Sequence, residues 1–157
     1  VSAARVLGIG SPFGDDRVGW AVIDALRGSG ALTRARASAT CYDRPGLRLV
    51  EALTGAEHAI LVDAMRSGAP PGSIRRLAAE DLTVASGLLS AHGFGVAEAV
   101  ALARALGALP RRLTVIGIEI ADPQPGADLS APVRAAVAAA AAQIERELAR
   151  PAPPSRS

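Results

Sequence analysis

The chain has no lysine, no asparagine, one cysteine and only four aromatic residues (two Phe, one Trp, one Tyr) among its 157 positions. Each shortage closes off a class of protein. A lone cysteine, Cys41, rules out an internal disulfide. It lies in an apolar-alternating stretch without a third-residue cysteine partner, so it reads as a small core residue. With so few rings, the core must be built from Ala, Val, Leu and Ile. All seventeen cationic residues are Arg, scattered among fifteen acids for a net charge of +2. The excess of Arg and Ala resembles the codon bias of a GC-rich genome. With no basic block and no aromatic platform, the composition argues against nucleic-acid binding. No 18-residue run lacks charge or proline, so no membrane span is expected. No basic-then-apolar leader with a small-residue cleavage site opens the sequence, and a cytoplasmic protein is expected. With no large aromatic patch for an interface, a monomer is expected.

What remains is a regular alternation of apolar runs and amphipathic stretches. Residues 5–10 read as a buried strand, and 18–27 as a helix with Val18, Val22, Ile23 and Leu26 at helical spacing. Gly28-Ser29-Gly30 ends that helix. Residues 35–42 have the alternation of a second strand, and Pro45-Gly46 opens a helix carrying Leu47, Leu49, Val50 and Leu53 to Gly55. His58 to Met65 is a continuous apolar run, as in a sheet covered on both faces. A Gly-Ala-Pro-Pro-Gly turn at 68–72 precedes a short strand at 73–77. Residues 80–90 read as irregular, 95–106 as a helix and 113–120 as another buried strand. Ser130 and Pro132 have the pattern of a helix start, and that helix runs to about residue 149. Residues 1–150 form one domain, and 151–157 read as a disordered tail. The alternation predicts an α/β fold with a mostly parallel sheet between helices.

The turn after the first strand carries the sequence's strongest chemical signal. Val6 to Val22 passes from an apolar run through Gly8, Gly10 and Gly14 to two adjacent carboxylates, Asp15 and Asp16, before a helix begins. The glycine spacing is not that of a dinucleotide site. The two acids also occupy the helix end that a phosphate would need. No Lys follows, which excludes a P-loop. One aspartate can serve as a helix cap, which leaves the other available. Asp63 closes the 58–65 run, where a buried carboxylate is costly unless hydrogen-bonded or liganded; one use for it is to accept amides from the 68–72 turn. His92 lies in S-A-H-G-F-G, where Gly93 and Gly95 permit close backbone approach. His58, the other histidine, reads as exposed. Two carboxylates and one imidazole on separate element ends form an oxygen–oxygen–nitrogen set with open metal positions. Serine catalysis is weaker, because no G-x-S-x-G is present.

Four segments in order, G-I-G-S-P-F-G-D-D-R-V-G, V-D-A-M-R-S-G-A-P-P-G, S-A-H-G-F-G and I-G-I-E-I, resemble the hydrogenase maturation proteases. The similarity runs from about residue 5 to about residue 120. That resemblance implies a twisted, mixed five-stranded sheet between helices. It implies an aspartic-type endopeptidase that trims the C-terminal extension of the nickel–iron hydrogenase large-subunit precursor. Matched motif by motif, it places the catalytic and metal-reading residues at Asp16 (aligned through Gly19), Asp63 and His92. The metal is nickel, arriving with the substrate, and no organic cofactor is implied. Three features depart from the family pattern: Ser11 replaces the usual Asn, Arg17 the usual Gly, and the loop before the acids is one residue shorter than in many members. A chaperone or sensor that reads the same metal without cleaving is the alternative.

Overall fold

Five strands form one sheet in the order β2-β1-β3-β5-β4, in a computed structural model that describes residues 4–82, 95–121 and 128–151. The strands are β1 (Ala4–Gly10), β2 (Ala37–Asp43), β3 (His58–Met65), β4 (Ile74–Ala78) and β5 (Arg112–Glu119). β1 pairs in parallel with both β2 and β3, and β3 in parallel with β5; only β4 runs antiparallel, along β5. The helices are α1 (Val18–Ser29), α2 (Ala31–Ala35), α3 (Arg48–Leu53), α4 (Val96–Ala105) and α5 (Ala131–Ala149). The expected mixed, mostly parallel α/β sheet is what the chain forms.

Alternation along the strands explains why β3 and β5 read as unbroken apolar runs. Val6, Ile60, Val62, Ile116 and Ile118 pack with Val22, Ile23 and Leu26 of α1 and Val133, Ala140 and Ile144 of α5. The intervening residues Leu7, Ala59, Leu61 and Val115 pack with Leu49 and Leu53 of α3 and Val96, Val100 and Ala103 of α4. Both faces of the sheet are buried, so both sets of side chains must be apolar. Cys41 is half-buried against the α1–α5 layer, in keeping with its reading as a small packing residue.

The sheet and α1 meet at unusually short range. A Cβ on Gly19 would stand 2.4 Å from the Ile9 carbonyl oxygen and 2.7 Å from that of Val62. One on Gly8 would meet Ile23 Cγ1 at 2.5 Å. The two glycines let the first turn of α1 lie directly on β1 and β3, which fixes the preceding loop relative to the strand ends.

Two local expectations change. The residues after Gly30 form a short helix, α2, where only a break was anticipated. His58 is buried, at 7% exposure, where it was expected to be exposed. Arg112, its neighbour across the β3–β5 register, brings a guanidinium nitrogen to 2.8 Å from His58 Nδ1. Burial, then the positive charge of Arg112, pushes the imidazole down to about 4. Residues 152–157, most of the expected tail, lie outside the described residues. Among those described, no helix is long and apolar enough to cross a membrane.

Candidate functional site

The strand order reverses at β1: the chain goes from β1 outward to β2, then back across to β3 on the other side. In open α/β sheets the crevice outside the carboxyl ends at such a point is where ligands bind. Among the described residues, Asp16, Asp63 and Asp43 come to this edge. Asp16 lies in a 3-10 turn (Gly14–Arg17) directly after β1, Asp63 stands near the end of β3, and Asp43 closes β2 opposite Gly10. Asp43 escaped the sequence reading; its signal was an acid at a strand end followed by Pro45-Gly46.

The adjacent aspartates of the turn do different work. Asp15 is buried and accepts hydrogen bonds from the Ser130 amide (2.6 Å), the Ser130 hydroxyl (2.7 Å) and the Ala121 amide (3.2 Å). It therefore ties the first loop to the end of β5 and the start of α5. Ser130 occupies the residue before α5 as expected. Its hydroxyl, however, turns to Asp15 and makes no cap bond to the helix. Neither Asp15 nor Asp16 caps α1: the residue before that helix is Arg17, without a side-chain cap bond.

Asp16 is half-buried. The fully buried Ser11 hydroxyl donates to Asp16 Oδ2, and the Ser11 amide donates to the Asp16 carbonyl at 3.2 Å. Asp16 is close enough to Asp63 for its charge to act there. Burial, then the negative charge of Asp16, holds the Asp63 carboxyl well above the usual carboxylate range, against a 2.8 Å hydrogen bond from the Ala64 amide. Taking a carboxylate out of water beside a like charge disfavours ionisation through both effects.

The 68–72 turn is held by a different acid from the one anticipated. Buried Glu119, at the end of β5, accepts from the Ser67 amide (2.8 Å), the Ser67 hydroxyl (2.8 Å) and the Gly68 amide (3.1 Å). Asp63 is buried and accepts instead from the neighbouring Ala64 amide. Arg17, the departure from the family pattern, makes an exposed 3.4 Å ion pair with Asp128. On the β2 side of the rim, Arg44 pairs with Asp43 at 2.7 Å and covers the Phe13 ring at 5.9 Å.

His92 lies outside the described residues, as do 83–91, 93 and 94. The described chain resumes at Gly95, immediately before α4. Because α4 ends toward Arg112, at the amino end of β5, its own start lies toward the carboxyl edge of the sheet. Among the described residues no three His, Cys, Asp or Glu side chains converge on a metal-sized site. The structure thus brings Asp16 and Asp63 together.

A family model described as HycI, hydrogenase maturation protease, matches residues 45–147. The chain is 30% identical over 141 residues to the hydrogenase expression/formation protein HupD of Rhizobium leguminosarum bv. viciae, covering 86% of this chain and 68% of the relative. It is 29% identical over 117 residues to HupD of Thiocapsa roseopersicina; that match covers 73% of this chain but only 52%, about half, of the relative's length. Among solved structures, the hydrogenase maturating endopeptidase HybD from E. coli superposes with a TM-score of 0.78 at 23% identity, covering 92% of this chain and 91% of that one. By the family match and the HupD relatives, with the shared fold beside them, this chain belongs to the hydrogenase maturation protease family.

Proposed function

We propose that this protein is an endopeptidase of the cytoplasm that removes the C-terminal extension from a nickel-loaded nickel–iron hydrogenase large-subunit precursor. The observation that carries this reading is the pairing of Asp16 with Asp63 in the switch-point crevice. A buried carboxyl raised by a neighbouring carboxylate is a site that gains from a cation, because the cation replaces the proton and offsets the repulsion. Nickel already seated in the precursor is that cation. Asp16, Asp63 and His92 would receive it as part of the substrate, and the scissile peptide beside it would be placed against this edge.

Such an arrangement works chiefly by positioning. Effective concentrations of well-oriented groups supply roughly 7–11 kcal/mol of a barrier, so a standing nucleophile is unnecessary. Hydrolysis adds water across the amide, with one proton leaving the water and one reaching the departing amine. A carboxylate at this edge is suited to take the first. The Ser67–Gly68 turn, pinned by Glu119, and the Phe13–Arg44 rim flank the path on which an extended chain would lie.

The test is an intact-mass measurement on nickel-loaded precursor incubated with the protein. Loss of the extension is expected with the native protein, and none with Asp16→Asn or Asp63→Asn, both still folded by circular dichroism. Unchanged trimming by both variants would end the assignment. The changed residues Ser11 and Arg17 favour a second reading, a chaperone or sensor that binds the loaded subunit. Its mark is a stable complex with no peptide released by the native protein.

A further inference from the structure

Among the described residues two that are not glycine hold a left-handed backbone, Arg36 (φ 53°) and Arg44 (φ 43°). Arg36 has an ordinary reason: it closes α2, and its amide donates to the Leu32 and Thr33 carbonyls. Arg44 closes no helix. It follows Asp43 at the carboxyl end of β2 and precedes Pro45, and a residue before proline is pushed toward extended backbone. A side chain in this conformation costs free energy that glycine would not. Such outliers persist only where the surroundings hold them, and they cluster at functional sites.

Three contacts hold Arg44. Its amide donates to the Gly10 carbonyl at 3.0 Å, at the end of the β1–β2 ladder. Its Nε donates to Asp43 Oδ1 at 2.7 Å, and its guanidinium carbon lies 5.9 Å from the centre of the Phe13 ring. The Phe13 carbonyl accepts the Asp16 amide at 3.0 Å, so the ring beside Arg44 and the Asp16 carboxylate are carried by one loop. The hydrogen bond and charge of Asp43, and beyond them the charge of Asp16, favour the protonated guanidinium. Only Nε is engaged: among the described residues neither terminal nitrogen has a hydrogen-bond partner, and the side chain is 44% exposed. A guanidinium whose backbone, stem and face are all fixed thus keeps its outer fork of donors unclaimed.

We propose that Arg44 is a specificity-determining residue that donates its terminal nitrogens to a carboxylate on the C-terminal extension of the precursor, a role that rests on the reading of the Asp16–Asp63 edge as the place of cleavage. Asp16, Asp43 and Asp63 alone would repel an acidic tail and favour a basic one. Arg44 reverses that preference at the rim, because its planar fork matches a carboxylate through two parallel hydrogen bonds. A tail with a cation at this point is repelled, so the residue selects among extensions. The strained backbone and the Phe13 ring set the fork before the substrate arrives, which spares the ordering that a free arginine would undergo on binding.

Rates of trimming and binding of nickel-loaded precursor by the full chain test this. The native precursor is compared with precursors in which the Asp and Glu residues of the extension are changed singly to Asn and Gln, or the terminal carboxylate is amidated. Arg44→Gly is expected to raise KM about tenfold with kcat unchanged, at a Tm no lower than the native protein's, since glycine relieves the backbone. Arg44→Gln, which keeps the length and loses the charge, should raise KM by the same order. One neutralised precursor should show that rise with the native protein and no further rise with Arg44→Gly. Unchanged KM in both variants, a fall in kcat without a rise in KM, or effects that multiply for every neutralised precursor would overturn the proposal. A native protein that binds loaded precursor without trimming it ends the peptidase reading alone, and Kd then takes the place of KM; one that neither binds nor trims ends both.

Discussion

Replacing Gly19 by alanine inserts one methyl group where α1 rests on the sheet. That carbon would lie 2.4 Å from the Ile9 oxygen, 2.7 Å from the Val62 oxygen and 3.1 Å from the Ile9 nitrogen. All three are backbone atoms of central strands, so no side chain can rotate aside. The helix itself must lift, which loosens Val22, Ile23 and Leu26 against β1 and β3. Overpacking of this kind costs about 1–3 kcal/mol and sometimes more, and the immovable neighbours place Gly19 at the upper end. Alanine's helix preference returns at most about 1 kcal/mol. The net is a loss of about 2 kcal/mol, or roughly 4–8 °C in Tm for a domain of this length. Gly28 lies in the same helix with nothing within 4 Å of its would-be Cβ. Gly28→Ala should therefore stabilise by about 0.4–1 kcal/mol. Urea unfolding followed by circular dichroism, with both variants beside the native protein, reads the difference. If Gly19→Ala proves as stable as Gly28→Ala, the close approach of α1 to the sheet is wrong.

Three further outcomes are expected. Asp15→Ala removes the acceptor of three hydrogen bonds and should cost about 3 kcal/mol, whereas Asp16→Ala should stay within about 1 kcal/mol of the native protein; chemical denaturation separates the two. Ser11→Ala deletes the hydroxyl that orients Asp16 and should slow precursor trimming about 10–100-fold with Tm little changed, as read by time-resolved intact mass. His58 is held at about 4, below its ordinary 6.5, so its contribution is complete above pH 6.5. As pH falls toward 4 the unfolded chain takes up a proton that the folded chain refuses, and stability drops by on the order of 3 kcal/mol. His58→Gln should flatten that part of the stability–pH curve; an unchanged slope would place the imidazole in solvent.

The architecture was legible because its strongest signals are local. The 58–65 run forms β3 over the same residues, and the helix expected from residue 18 begins there. Buried parallel strands announce themselves by continuous apolarity, which no distant residue has to supply. The five-residue α2 is too short to show a period, and the glycines at 28 and 30 masked it. The candidate site was half legible. That a carboxylate from the first loop and Asp63 share an edge follows from strand ends. Which carboxylate turns inward does not, because Asp15 is claimed by Ala121 and Ser130, more than a hundred residues away. The same remoteness hid the role of Glu119, whose hold on Ser67 and Gly68 spans about fifty positions. It also hid the burial of His58, which Arg112 and the end of α5 bring about.

The clamp on Asp15 makes the last helix part of the mounting for a side chain near the start of the chain. A graft that exchanged only the 10–17 loop between relatives would carry Asp16 across but leave its brace behind. Transplanting the residues at 121 and 130 together with the loop is what should preserve its aim, so these distant positions form a single unit for redesign.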